Sequence, residues 1–232
     1  MKRILAPGLA LVILMSGIAA VPLQPTEAQS AGLVSSVLAR LQKNHDTLKN
    51  LRASVYMEKW DAHIREKDQY WGALVYSPGA GRNANVRIEW TKPQHEVLCV
   101  QKGAYTLYRP NLNIVYKGLA NGGKHRENDV LTMLSMSSAE LQNKFQPFQE
   151  VRDEELSGGV NTTHLKLVPL KAMSFAYAEV WVDSSGMPVQ SKVVEKNGDA
   201  TTVRLWDLQK NGRVSDDEFV VKYASSVKVI RG

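Results

Sequence analysis

The chain has 232 residues and a formal net charge of +6, and 44% of its residues are hydrophobic. This composition is enough for one sizeable core, and all-β chains of this length commonly form a single domain. The one cysteine, Cys99, excludes an internal disulfide framework. Because Cys99 lies between Leu98 and Val100 in an extended run, we expect a buried and inert thiol.

Residues 1–28 have the features of an export signal. Lys2 and Arg3 precede an apolar run, 4–20, whose last residues are small. A short apolar run with these flanks predicts a cleaved secretory signal peptide, not a membrane span. Cleavage after Ala20 and cleavage after Ala28 both fit. Cleavage after Ala20 removes Lys2 and Arg3 and lowers the formal charge from +6 to +4, which does not indicate nucleic-acid binding. We expect residues 31–232 to form one exported, soluble domain.

The first element of that domain is predicted to be an amphipathic helix over residues 31–51. Its apolar residues recur at intervals of three and four, which places them on one helix face. They are Val34, Val37, Leu38, Leu41, Leu48 and Leu51. A helix of this kind is expected to lie across the open side of a sheet.

Most of the remaining chain alternates apolar and polar residues between turn signals, which predicts about ten strands. Val86, Ile88 and Trp90 alternate with Arg87 and Glu89, so the first three are expected to face the interior and the other two solvent. Short connections such as Asn197-Gly198 favour antiparallel pairing. The extended runs are 54–60, 69–76, 86–90, 95–101, 105–108, 114–117, 148–156, 160–168, 178–182, 189–196, 201–208 and 219–221.

A second, shorter helix is predicted after Asp129, which can cap its first turn. Two interpretations of this helix remain open: an ordinary core helix, or a cover over an apolar cavity, for which flexible methionine side chains are suited. Its apolar residues are Val130, Leu131, Met133, Leu134 and Met136.

The residues that enzymes need are not grouped in this sequence. The five histidines are scattered without a pair four residues apart, so no metal site is predicted. Ser185 precedes Gly186 in a hairpin turn, whereas a nucleophilic serine is presented on a strand-to-helix elbow. We therefore expect no catalytic residues, no metal and no cofactor.

Several segments, taken in order, resemble one family. Residues 71–78 read WGALVYSP and residues 86–93 read VRIEWTKP. Residues 102–115 read KGAYTLYRPNLNIV, residues 214–221 read VSDDEFVV, and residues 226–230 read SVKVI. Together they resemble the LolA-type periplasmic lipoprotein carriers, which share the lipoprotein localisation fold of LolA and LolB. The proline that precedes the family's last segment is missing here.

This resemblance implies a mainly β, α+β fold: an unclosed antiparallel β-barrel with an N-terminal helix and a short helical lid over its concave face. It also implies a monomeric periplasmic carrier that receives acylated lipoproteins from an inner-membrane release complex and passes them to an outer-membrane acceptor. The side chains expected to line the lipid-binding cavity are Trp71, Val75, Val86, Ile88, Trp90, Leu98, Val100, Leu107, Leu165, Leu167, Val180, Val182, Val203, Leu205 and Phe219. The expected lid residues are Val130, Leu131, Met133, Leu134 and Met136.

Two other functions remain open on the same fold. One is a regulatory module of the envelope-stress response that senses lipoproteins; such proteins carry a further C-terminal domain, whereas this chain is expected to stop soon after Ile230. The other is a carrier of a different lipid, such as a glycolipid or a polyprenoid.

One position departs from the family pattern in a way that affects the lid. Where the family has an arginine before a proline, this chain has Ser77 before Pro78. The family's arginine hydrogen-bonds the lid and keeps the empty carrier closed. Arg82 lies in a glycine-flanked turn and Arg87 is expected to face outward, so neither is a clear substitute. Closure is therefore expected to depend on apolar packing, and Ser77→Arg is expected to reduce uptake of a hydrophobic probe.

Overall fold

One twelve-stranded sheet organises the protein. The computed structural model describes residues 27–78, 84–120 and 136–232. Its helices are α1 (Glu27–Thr47) and α2 (Ser138–Lys144). Its strands are β1 (Leu51–Asp61), β2 (Glu66–Ser77), β3 (Asn85–Lys92), β4 (Glu96–Gln101), β5 (Ala104–Arg109), β6 (Ile114–Leu119), β7 (Gln149–Leu156), β8 (Val160–Leu167), β9 (Phe175–Asp183), β10 (Pro188–Glu195), β11 (Ala200–Lys210) and β12 (Lys228–Arg231).

The strand order shows that the sheet does not close into a barrel. It runs β12-β6-β5-β4-β3-β2-β1-β11-β10-β9-β8-β7, so that β12 and β7 form its two edges. Neighbouring strands pair antiparallel, as short hairpin connections require, apart from β12, which pairs parallel to β6. The predicted α+β fold with an unclosed antiparallel sheet is confirmed, with twelve strands in place of about ten.

Helix α1 ends earlier than its sequence pattern predicts. The helix stops at Thr47, and Leu51 instead begins β1, where only 1% of its surface is exposed. The turn between them is held by Asn211 from the far end of β11. The Asn211 side-chain oxygen accepts a hydrogen bond from the Lys49 amide at 2.7 Å, and its amide nitrogen donates to the Thr47 carbonyl at 3.1 Å. This contact, distant in sequence, satisfies polar groups at the helix terminus.

The face of the sheet on which α1 packs is called the inner face. Val37 and Leu41 of α1 lie in one buried core with Val55 of β1 and Leu205 of β11. Arg40 anchors the helix, because one of its terminal nitrogens donates to the Thr163 hydroxyl at 3.0 Å. The helix backbone approaches the β9–β10 turn so closely that a Cβ on Gly186 would lie 2.0 Å from the Arg40 carbonyl oxygen. Only glycine fits at that point.

The opposite face, called the outer face, has a smaller buried cluster of its own. It forms where the C-terminal segment crosses β3 and β4 as a 3-10 turn, Asp216–Phe219. This corrects the predicted strand over 219–221. Arg52 of β1 forms an ion pair with Glu218 of the turn. The buried apolar residues outside the main core are Val75, Val97, Cys99, Val115, Phe219 and Val227.

Helix α2 lies against α1, where the Ser138 hydroxyl donates to the Gln42 side-chain oxygen at 2.6 Å. A capping box starts it: the Ser137 hydroxyl accepts from the Glu140 amide at 3.2 Å, and the Glu140 carboxylate accepts from the Ser137 amide at 3.1 Å. Leu141 and Phe145 are buried, and the Phe145 ring stacks on Phe175 with 6.4 Å between ring centroids. Neither described helix has the length and the apolar character that a membrane crossing requires.

Candidate functional site: an apolar wall on the inner face

Burial divides the inner face into two unequal parts. On the part beneath α1, six inward-facing apolar residues of β8, β9 and β11 have between 0% and 2% of their surface exposed. Side chains with so little accessible surface are packed against protein atoms, so this part is a filled core. Six residues expected to line a cavity lie here: Leu165, Leu167, Val180, Val182, Val203 and Leu205.

The other part of the inner face, on β2 to β6, is apolar but only half-buried. The pairings Tyr76↔Val86↔Val100 and Leu98↔Leu107↔Tyr116 place its side chains in adjacent rows. These rows continue from Leu74 and Ile88, which belong to the main core, so they share the face that α1 covers farther along. We call this surface the open wall. It consists of Tyr76, Val86, Leu98, Val100, Leu107 and Tyr116.

Ile88 and Trp90 join the filled core to the open wall. Both are buried members of the main core, and Trp90 packs against Tyr70 with 5.7 Å between ring centroids. Their inward orientation follows from the pleat, as does that of half-buried Val86 on the same strand. Farther along the sheet, Tyr105 lies over Gly118: a Cβ at Gly118 would lie 2.7 Å from the Tyr105 ring.

Three residues assigned to the cavity lie on the outer face instead. In β2 the inward positions are Leu74 and Tyr76, so Val75 and Trp71 point outward. Trp71 packs against Tyr56 with 5.2 Å between ring centroids and is partly exposed. Phe219 is buried, but beneath the C-terminal segment on the outer side. The cavity assignment of Trp71, Val75 and Phe219 is corrected, because the one-residue alternation of a strand decides which face a side chain reaches.

The outer face near β3 and β4 was expected to be exposed to solvent, but the C-terminal segment covers it. Arg87 does point outward, but the C-terminal segment covers it: its Nη1 donates to the Glu218 carbonyl at 3.3 Å and its Nη2 donates to the Glu89 carboxylate at 2.8 Å. The Arg87 hydrogen bond holds the pKa of Glu89 below its usual value. Cys99 is buried against the same arginine, and burial raises the pKa of its thiol. A protonated, buried thiol is poorly reactive.

Ser77, which stands where the family has its lid arginine, also lies on the outer face of the sheet. Ser77 follows Tyr76, which is on the open wall, and the Ser77 hydroxyl donates to the Lys49 carbonyl at 3.5 Å. An arginine at position 77 would therefore start from the face opposite the wall. Arg82 and four of the expected lid residues, Val130, Leu131, Met133 and Leu134, lie outside the described residues. Met136 is described, and it is buried in the main core.

One polar pair borders the open wall, and sequence reasoning missed it. Glu96 opens β4 and Arg109 closes β5, with Arg109 Nε 3.0 Å from Glu96 Oε1. Alternation from Leu98 and Leu107 puts both on the inner face. The sequence did contain a signal for this pair, because both charged residues occupy positions where the alternation of their strands predicts apolar, inward-facing side chains. Within the described ranges, no three His, Cys, Asp or Glu side chains are grouped as a metal site.

Solved structures that are similar to this one have little sequence in common with the chain. An uncharacterized conserved protein from Thermus thermophilus is 13% identical, covers 85% of this chain and 98% of its own, and gives a TM-score of 0.51. A chain of the Pseudomonas aeruginosa MucA/MucB complex is 10% identical over 85% of this chain and 63% of its own, with a TM-score of 0.50. Mycobacterium tuberculosis lipoprotein LppX is 11% identical over 80% of this chain and 98% of its own, with a TM-score of 0.48.

Sequence comparison supplies the family. No curated protein sequence matches the chain. Residues 80–222, well over half of the 232 residues, match the family described as outer membrane lipoprotein carrier protein LolA. This match covers β3 to β11 and the turn that carries Phe219, and therefore most of the open wall. The chain belongs to the LolA family of outer-membrane lipoprotein carrier proteins.

Proposed function

We propose that this protein is a periplasmic carrier that binds the acyl chains of lipoproteins on the open wall and carries them towards the outer membrane. The observation that carries the proposal is the unequal burial of the inner face. One part is sealed beneath α1, whereas Leu98 and Leu107 present apolar, half-buried surface on the other. Membership of the LolA family supports an acylated cargo in this place.

The size of the open wall suits an extended hydrocarbon chain. Five neighbouring strands, spaced about 4.8 Å apart, span roughly 19 Å from β2 to β6. Each methylene group removed from water contributes about 0.8 kcal/mol. An acyl chain laid along this wall therefore gains several kcal/mol without any specific polar contact, and it covers apolar surface that water otherwise meets.

Delivery in one direction needs a difference in affinity among partners. No phosphate-binding loop is found in the sequence, so the carrier itself has no nucleotide to hydrolyse. We infer that an inner-membrane release complex loads the wall and that an outer-membrane acceptor binds the cargo more tightly. A carrier that holds its cargo with intermediate affinity satisfies both steps.

The test is to purify the protein from its own periplasm and identify its cargo by native mass spectrometry. We expect a bound acylated protein or peptide, and we expect Leu98→Asp to reduce its occupancy because a carboxylate would be placed in the apolar wall. Lys102→Asp in the β4–β5 turn is the control, since it alters charge at an exposed site. A bound lipid without a protein part would indicate that the protein carries a glycolipid or a polyprenoid and not a lipoprotein. Absence of any acyl ligand in wild type and variants would contradict it.

A further inference from the structure

The open wall ends at a charged rim. At one end of strands β3 to β6, Trp90 pairs with Glu96 and Arg109 pairs with Ile114. Both pairs lie next to the turns that connect these strands. Glu96 lies two residues before Leu98, and Arg109 two residues after Leu107, so both share the inner face with the wall. The rim is therefore the point where a chain lying on the wall would meet polar groups.

The contacts at this rim fix Glu96 more firmly than Arg109. Only 13% of the Glu96 side chain is exposed, and its Oε1 accepts from Gln94 at 2.7 Å and lies 3.0 Å from Arg109 Nε. The Arg109 side chain is 37% exposed, with its guanidinium carbon 5.7 Å from the centre of the Tyr116 ring. Tyr116 belongs to the open wall, so the arginine lies directly beside it.

The geometry of the pair leaves donors available on Arg109. A guanidinium has five N–H donors. Glu96 Oε1 lies 3.0 Å from Nε as an ion pair, but without the alignment of a hydrogen bond. Among the described residues, no second carboxylate lies within ion-pair distance of Arg109. The two terminal nitrogens together can bind two phosphate or carboxylate oxygens in a fork. Beside an apolar surface, such a charge interacts more strongly with an anion than it would in open water.

We propose that Arg109 binds the anionic headgroup of an amphiphile whose acyl chain lies on the open wall. This proposal rests on the acyl-binding wall of the proposed function, and it adds one feature to the cargo: beside the acyl chain lies an anion, either a carboxylate of the acylated protein or a lipid phosphate. Glu96 has the opposite effect on the same ligand, because its charge lies 3.0 Å from the guanidinium and repels an incoming anion. The pair therefore sets how strongly the rim prefers a charged headgroup over a neutral one.

The experiment compares two lipids that differ only in a phosphate group: 1-oleoyl-lysophosphatidate and 1-oleoylglycerol. Each is titrated below its aggregation concentration against displacement of a hydrophobic fluorescent probe from the full chain. We expect wild type to bind the lysophosphatidate more tightly, and the preference to weaken as salt is raised. Arg109→Gln should lower affinity for the lysophosphatidate by about tenfold and leave 1-oleoylglycerol unchanged.

The Glu96→Gln variant distinguishes headgroup binding by Arg109 from general damage to the open wall. If the pair were only structural, removing either partner would weaken binding of both lipids. On our proposal the two variants act in opposite directions, because Glu96→Gln removes a repelling charge and should raise lysophosphatidate affinity severalfold. Arg109→Lys, which keeps the charge but loses the fork, should fall between wild type and Arg109→Gln.

The matched control is Arg52→Gln on the outer face. Arg52 also forms one ion pair, with Glu218, and its side chain is 37% exposed, as is that of Arg109. It lies away from the open wall, so we expect neither lipid affinity to change. Melting temperatures of all variants verify that each one folds. Inorganic phosphate at millimolar concentration should not displace the probe, since the site needs headgroup and chain together.

The outcomes separate this inference from the proposed function. Tight binding of 1-oleoylglycerol with no preference for the phosphate would keep the carrier and overturn the role of Arg109. A loss of lysophosphatidate affinity in Glu96→Gln would also overturn it. If neither lipid displaces the probe, the acyl-binding wall itself is wrong, and the headgroup site falls with it.

Discussion

Arg87 and Glu218 are 131 residues apart in the chain and meet on the outer face, where Arg87 Nη1 donates to the Glu218 carbonyl at 3.3 Å. The contact ties β3 to the C-terminal segment. Glu218 also contacts a second arginine, because its carboxylate forms an ion pair with Arg52. A segment that lacks regular strand pairing at this point is thus held by two arginines over a small apolar cluster.

Arg87→Asp is predicted to destabilise the fold, contrary to what its alternation pattern alone predicts. The aspartate would lose the bond to the Glu218 carbonyl and would face Glu89, its former partner, with a like charge. We expect a fall in melting temperature of several degrees. Lys102→Asp, which changes charge in an exposed turn, is the comparison. Equal melting temperatures for the two variants would show that the C-terminal segment does not depend on Arg87.

Phe219→Ala is predicted to lower stability while leaving acyl-probe affinity unchanged. Phe219 is buried in the outer cluster with Val97 and Cys99, away from the open wall. Removing a buried phenyl ring costs about 3–5 kcal/mol, or a fall in melting temperature of roughly 10 °C for a chain of this size. Thermal melting and probe titration of the same preparation check it. A large loss of affinity at a temperature where the variant is folded would return Phe219 to the binding site.

Leu98→Asp and Leu165→Asp are predicted to separate binding from stability. Leu98 is half-buried on the open wall, so its carboxylate remains partly hydrated: probe affinity should fall by at least tenfold with a modest change in melting temperature. Leu165 has 0% of its surface exposed, and a carboxylate there would be buried without a partner. That variant should fail to fold at room temperature. Comparable losses of stability in both would mean that the open wall is filled core.

Protonation of Glu179 is predicted to weaken the outer side of β8 and β9. His164, only 1% exposed, places its Nε2 3.4 Å from the Glu179 carboxylate, and Lys192 lies 3.9 Å from the other oxygen. The hydrogen bond from His164 holds the pKa of Glu179 below its usual value. A lowered folded-state pKa contributes stability above the unfolded-state pKa, about 4.3, and loses it as pH falls through the folded-state value.

The check is the difference in melting temperature between wild type and Glu179→Gln across pH. We expect wild type to be more stable at pH 7 and the difference to narrow as pH falls below the unfolded-state pKa, about 4.3, and through the lower folded-state pKa. Glu155→Gln on β7 is the control, because this carboxylate is exposed and has no ion pair among the described residues. A difference that is constant from pH 7 to pH 3 would show that Glu179 acts through packing and not through its charge.

Local pattern was enough to predict which segments of this protein extend and which do not. The alternation of Val86, Ile88 and Trp90 predicted a strand with one apolar face, and Asn197-Gly198 predicted a hairpin, since both signals depend on neighbouring residues only. The ordered set of segments was also enough to indicate the family, because its spacing runs across most of the chain. By itself, the sequence determined the fold class and the family of this protein.

Which apolar surface is sealed and which is open was decided by tertiary structure. Leu165 and Leu98 look alike in sequence, yet α1 packs on the part of the inner face that holds the first and not on the part that holds the second. Phe219 was predicted on a strand and is instead folded over the outer face by Arg52 and Arg87. The pairing of Glu96 with Arg109 likewise depends on the register of β4 against β5. These outcomes depend on contacts between distant segments, and a local pattern does not contain that information.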